Sequence, residues 1–134
     1  MSVMLQFRLP SDELEYAVLA ELWRLRSASV RELHERPGAA GNLAYTTTAK
    51  VVDRLRAKGL IRRQREGNAF RYEPRIAREE VERARARSSV ARLLGPAPQA
   101  AVAALVEAID AVDPQLLEEL ERAVAARRRA KRGT

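Results

Sequence analysis

The sequence predicts a mainly α fold that carries one small β hairpin, and three observations predict it. Apolar residues recur at helical spacing in several segments, aromatics make up only 4% of the chain, and two short arginine-rich runs flank Glu66-Gly67-Asn68. A chain this poor in aromatics must build its core from Leu, Val and Ala, through the many small contacts of packed helices. At 134 residues it can hold one ordinary domain, or a small domain plus an oligomerisation element.

The first helix is expected to begin at Ser11 or Asp12, either an acceptable N-cap, and to run to about Arg26. Asp12, Glu13 and Glu15 place negative charge at the positive end of its dipole. Leu14, Val18, Leu22 and Leu25 form one apolar stripe, and Tyr16, Leu19, Ala20 and Trp23 form a second. A helix apolar around so much of its circumference belongs at the centre of a core.

Ser29-Val30-Arg31-Glu32 has the capping-box pattern and opens a short second helix to about Glu35. Pro37 to Asn42 is rich in turn-forming residues and ends any helix there. A third helix is predicted from near Tyr45. Thr48, Val51, Val52 and Leu55 have the i, i+3, i+4, i+7 spacing of a buried face. Thr46, Thr47, Lys50, Asp53 and Arg54 then point outward, a mixture of hydroxyls and cations suited to base edges and phosphate oxygens. Lys58-Gly59 is a strong stop, with a cation against the negative dipole end and a glycine for the left-handed residue.

Leu60 to Gln64 and Ala69 to Glu73 read as two strands joined by Arg65-Glu66-Gly67-Asn68. Phe70 and Tyr72 share one face and Arg71 takes the other, while Pro74 closes the second strand because it cannot donate a ladder hydrogen bond. So small a hairpin needs a helical layer to receive Leu60, Phe70 and Tyr72. Three helices with a turn between the second and third, and then a hairpin, make a winged helix-turn-helix.

From Ile76 onward the pattern is wholly helical. Arg78 to Leu94 carries Val81, Ala84, Ser88, Ala91 and Leu94 near one face, and Gly95-Pro96-Ala97-Pro98 breaks it. Gln99 to Ala111 carries Val102, Leu105, Val106 and Ile109. Asp113-Pro114 then opens a last helix with Leu117, Leu120 and Val124. Three short amphipathic helices can hardly bury their apolar faces against one another, so pairing with a second copy is expected through Val81, Leu94, Val102, Leu105, Val106, Ile109, Leu117, Leu120 and Val124. The expected organisation is a DNA-binding domain over residues 1–75, a helical homodimerisation region over 76–126 and a basic tail over 127–134. The tail is read as a frayed helix end or disordered. Its arginines suit auxiliary phosphate contact or, more simply, a solvated terminus that complements the helix dipole.

Charge points to the partner. The net charge of +7 and pI near 10.7 favour a polyanion, either nucleic acid or an anionic membrane surface. Leu43 to Pro74 holds eight cations against three acids, whereas Met1 to Asn42 is nearly neutral. The positive field therefore belongs to the third helix and the hairpin. No helix combines a basic face with aromatic anchors, which disfavours a peripheral membrane protein. No apolar run approaches the ~18 residues of a span, and the N-terminus lacks a basic n-region and an apolar h-region. A soluble, cytoplasmic protein is expected.

An enzyme is not expected. Zero cysteines remove disulfides, thiolate metal sites and a cysteine nucleophile. His34 is the single histidine, lacks a second metal ligand and reads as a surface or capping residue. Glu79-Glu80 and Glu118-Glu119 fall on exposed faces among arginines. No cofactor or metal site is indicated. The competing reading is a winged-helix module that docks on a protein and touches DNA weakly or not at all, supported by the apolar C-terminal helices, which homodimerisation explains equally well.

The residues also resemble the penicillinase-repressor family of bacterial transcription factors, the BlaI/MecI type. The resemblance is carried by LEYAVLAELW in the first helix, SVRELHE in the second and AYTTTAKVVDRLRAKGLIRRQREGNAFRYEP in the third helix and wing. It covers Asp12 to Pro74 closely and the C-terminal helices more loosely. It implies a homodimeric winged-helix repressor on a palindromic double-stranded DNA operator, with Thr46, Thr47, Lys50 and Arg54 in the recognition helix and Arg65, Asn68 and Arg71 on the wing. Thr48 stands where the family usually has an apolar residue and Lys50 where threonine is common, so the operator sequence is not fixed by the resemblance. The family's resistance repressors are cut at an Asn-Phe bond by a membrane-bound metalloprotease sensor. The corresponding site here is Ala104-Leu105, which lacks that signal. The cysteine cluster of the copper-responsive branch is absent as well.

Overall fold

The computed structural model describes residues 6–36 and 43–133. Among these, six helices and one two-stranded antiparallel sheet run in the order α1 (Glu13–Leu25), α2 (Val30–His34), α3 (Tyr45–Ala57), β1 (Ile61–Glu66), β2 (Ala69–Pro74), α4 (Arg78–Leu94), α5 (Pro98–Val112) and α6 (Gln115–Arg132). The fold is mainly α with a small β wing. The turn expected over Pro37 to Asn42 lies outside the described residues.

Local chemistry accounts for most element ends. The Asp12 carboxylate accepts from the Glu15 backbone N–H at 2.8 Å and starts α1. Ser29 Oγ accepts from the Glu32 N–H at 3.1 Å and starts α2. Gly59, at φ +80°, turns the chain out of α3, as the Lys-Gly signal predicts. The end of α1 is less conventional: Arg26 takes φ +72° with its N–H on Leu22 O at 2.7 Å. A left-handed arginine costs about 1 kcal/mol, and a backbone pairing offsets that cost. The turn delivers Ala28 beside β2, where it exchanges two backbone hydrogen bonds with Tyr72 at 2.8 and 2.9 Å.

In the hairpin, Ile61 pairs with Pro74 and Glu66 with Ala69. The loop is thus only Gly67-Asn68, with glycine at φ +63° in the first central position, the requirement of a type II′ turn. This tight loop lets Arg65 and Glu66 join β1, so the strand ends at Glu66 rather than Gln64. Leu60 precedes the strand and is wholly buried.

Two compact units result, residues 1–86 and 87–134, with the division inside α4. The core of the first gathers Val18, Leu19 and Leu22 of α1, Leu33 of α2, Val51, Val52 and Leu55 of α3, and Leu60, Ile61, Tyr72, Ile76 and Val81. Its boundary lies beyond residue 75 for a physical reason: Ile76 and Val81 fill this core, and Trp23 Nε1 donates to Ile76 O at 3.0 Å. The expectation that Val81 lines a dimer surface is therefore corrected, because its side chain is wholly enclosed in its own chain.

The second unit contrasts with the first. α5 packs on α6, yet neither helix has a buried residue. Leu94, Leu105, Ile109, Leu117 and Leu120 are half-buried, and Val102, Val106 and Val124 are exposed. The stretch Arg127 to Arg132 continues α6 as helix.

Candidate nucleic-acid interface

The amphipathic period of α3 divides it as predicted. Thr48, Val51, Val52 and Leu55 are buried, Thr46, Lys50, Asp53 and Arg54 are exposed, and Thr47 is half-buried. Ala44 gives α3 no side-chain cap, so the first turn is held from outside the helix. His34 Nδ1 lies 3.0 Å from Thr48 Oγ1, and the His34 and Tyr45 rings meet edge to face at 5.6 Å. The buried hydroxyl is thereby satisfied, which explains how a threonine is tolerated among apolar neighbours. His34, expected from sequence at the surface or as a cap, ties α2 to the start of α3.

The other end of α3 is held by a buried carboxylate. Glu15 on α1 is 1% exposed and accepts from Arg54 Nε at 3.1 Å, from Ser11 N and Oγ at 3.2 and 3.0 Å, and from Lys58 Nζ. Burial by itself would raise its pKa. The hydrogen bonds from Lys58, Ser11 and Arg54 outweigh that and lower it to about 2, so the group stays ionised. Sequence reading places Glu15 among the acids at the helix start. The missed signal is periodic: Glu15, Val18, Leu19 and Leu22 lie along one inward face.

On the wing, the predicted residues have different surroundings. Arg65 and Asn68 are exposed near the loop, with Arg65 5.6 Å from the Phe70 ring centre. Arg63 lies closer over the same ring, at 4.0 Å. Arg71 instead reaches back into the domain. Its Nε donates to Ser27 Oγ at 3.0 Å, Nη2 to Ser27 O at 3.1 Å and Nη1 to Glu32 Oε1 at 2.8 Å, with Glu66 Oε2 at 3.4 Å. The hydrogen bonds from Arg71 pull the Glu32 carboxyl below its ordinary range. Arg71 thus clamps the wing to the start of α2. An open hollow of about 600 Å³ at the wing base collects Arg56, Arg62, Arg63 and Arg75, extending the positive surface beyond the residues singled out from sequence. Two of these are already engaged, Arg62 with Glu73 at 2.6 Å and Arg75 with the backbone oxygens of Gln6 and Gly59.

Hydroxyls and cations on one helix, beside a hairpin bearing arginines, can contact base edges and phosphates. Among the described residues no group of acids and histidines could hold a metal ion, and no helix is long and apolar enough to cross a membrane.

Comparison with known proteins fits this geometry. The profile of the family described as Penicillinase repressor matches residues 12–126, which takes in the wing, α5 and much of α6. Two relatives, each described as transcriptional regulator BlaI, come from Mycobacterium tuberculosis strains CDC 1551 / Oshkosh and ATCC 25618 / H37Rv. Each is 41% identical over 70 residues, covering 52% of this chain and 51% of the relative, so the chain spans about half the length of the curated relatives it matches. With a profile match over most of its length, the chain belongs to the penicillinase repressor family.

Proposed function

We propose that this protein is a homodimeric, DNA-binding transcriptional repressor, acting in the cytoplasm, that reads a palindromic operator with α3 and the wing. One observation carries the reading: the exposed side of α3 and the wing tip present Thr46, Lys50 and Arg65 outward, with Thr47 half-exposed beside them, on a unit whose inward faces are already filled. Lys50 has no ion pair with any described residue. Cations in this position neutralise phosphates and give affinity, while the hydroxyls and Lys50 discriminate bases. Arg54 and Asn68 complete the two contact elements.

Homodimerisation is supported by the second unit. Val102, at 54% exposed, and Val106 and Val124, at 40% and 43%, are apolar side chains that a second copy would cover. A two-fold dimer would set its α3 helices into successive major grooves, roughly 34 to 36 Å apart. A metalloprotease sensor cutting at Ala104-Leu105 would first have to unwind α5, since both residues lie within that helix.

A mobility shift of the full chain on the DNA upstream of its own gene, against random duplex, tests the reading. Retardation that weakens steeply with salt and is tighter on the upstream fragment is expected. No retardation at low salt would overturn it in favour of a module that docks on a protein.

A further inference from the structure

We propose that Glu15 is a positioning residue for DNA binding, which grips Arg54 by its Nε so that both terminal nitrogens of the guanidinium face a backbone phosphate. The inference rests on the DNA-binding reading above. An arginine fork has five N–H donors, and which edge is occupied decides what the other edge can do. Here the carboxylate takes Nε alone at 3.1 Å, and neither Nη of Arg54 bonds to a described residue. The arginine is nevertheless 48% exposed while its partner is 1% exposed. The charge is thus anchored at its base and open at its tip, on the flank of α3 that faces α1. A terminal pair of N–H donors matches two phosphate oxygens.

The rest of the cluster serves the same end. Lys58, only 13% exposed, supplies a second cation to Glu15 from the C-cap of α3, and Ser11 adds two donors from the residue before the α1 cap, so the carboxylate is fixed by contacts other than Arg54. Lys58 offsets the negative charge of Glu15, which leaves the Arg54 tip with a net positive field. A side chain held in one rotamer loses less freedom on contact with DNA than a mobile surface arginine does. Thr46 and Lys50 lie nearer the outermost line of α3, whereas Arg54 sits to one side, toward α1.

The test is a double-mutant cycle on the full chain. Affinity for a labelled random-sequence duplex is measured by fluorescence anisotropy across a salt series, for the wild type, Glu15→Gln, Arg54→Ala and the double variant. Arg54→Ala is expected to lose roughly tenfold in affinity and to lower the salt slope by about 0.9. Glu15→Gln is expected to weaken binding in the wild-type background and to have no further effect once Arg54 is gone. Arg54→Lys keeps Glu15 and the fold intact. A lysine ammonium drawn to Glu15 keeps its charge but offers no planar terminal pair of donors, so this variant should bind more weakly than the wild type and more tightly than Arg54→Ala. Wild-type affinity in Arg54→Lys, or equal losses from Glu15→Gln with and without Arg54, overturns the positioning role while leaving DNA binding standing. Failure of the wild type to bind any duplex at low salt overturns the DNA-binding reading itself, and this inference with it.

Discussion

The buried carboxylate makes acid sensitivity predictable. Glu15 ionises near pH 2 in the folded chain instead of near 4.5, so the native state holds its proton less tightly than the unfolded state does. The stability this contributes is complete above pH 4.5 and is lost as pH falls toward 2, once the folded state must also take up the proton. A difference of that size corresponds to about 3 kcal/mol, a large share of the net stability of a small domain. Glu15→Gln removes the titration while keeping the shape. Urea unfolding should be monitored by the fluorescence of Trp23, the single tryptophan, which sits on α1 and so reports the N-terminal unit. At pH 7 the variant should unfold at lower urea, by about 3 kcal/mol in free energy, and the gap to wild type should close as pH falls from 5 to 2. Other carboxylates with lowered pKa, Glu32 beside Arg71 and Glu82 beside Arg78, act equally in both proteins and cancel in the comparison. A gap that stays the same at pH 7 and pH 2.5 would refute the claim that ion pairing, working against burial, holds Glu15 ionised.

The geometry carries three further expectations. Val81→Ala should cost the N-terminal unit about 2 kcal/mol through lost burial and a residual cavity, with no change in self-association by sedimentation, whereas Val106→Asp should weaken self-association and leave the Trp23 transition in place. Thr48→Val keeps the volume but removes the partner of His34, and should lower stability by about 1 kcal/mol in the same urea assay. Arg65→Ala should lower the salt slope of DNA binding by about 0.9, while Arg71→Ala, whose donors are spent on Ser27 and Glu32, should lower the urea midpoint and leave that slope unchanged.

The legible parts of this chain are those set by local chemistry. Asp12 and Ser29 announce their caps, Gly59 its left-handed turn, and the spacing of Thr48, Val51, Val52 and Leu55 the buried face of α3. Periodicity is less able to say what a face packs against. It places Val81 on an inward stripe, but whether the inside belongs to its own domain or to a second copy depends on where α4 sits beside Trp23 and Ile76. Arg71 shows the same limit among cations. Its place on a hairpin beside Arg65 suggests a phosphate contact, and only the one-residue bridge from Ala28 to Tyr72 brings Ser27 and Glu32 within its reach. That bridge in turn depends on Arg26 adopting a left-handed conformation, which no residue preference favours.

Sequence patterning is silent on the property a reading helix requires most. Hydrophobic burial is non-directional, so Val51, Val52 and Leu55 would press α3 into the core without fixing its rotation about its own axis. A helix that rolls by a few degrees moves the tips of Thr46 and Lys50 relative to a base edge, and hydrogen bonds to bases tolerate little such movement. The two polar anchors remove that freedom. His34 holds the first turn through Thr48 and Tyr45, and Glu15 holds the last turn through Arg54 and Lys58, each reaching α3 from a different helix. Hydrogen bonds have a preferred direction that apolar contacts lack, so both anchors resist rolling as well as separation. Besides their share of stability, buried polar contacts of this kind carry direction, which apolar packing lacks. The chain commits its rarest side chains to this: its single histidine stands at one end of α3, and its most buried acid at the other.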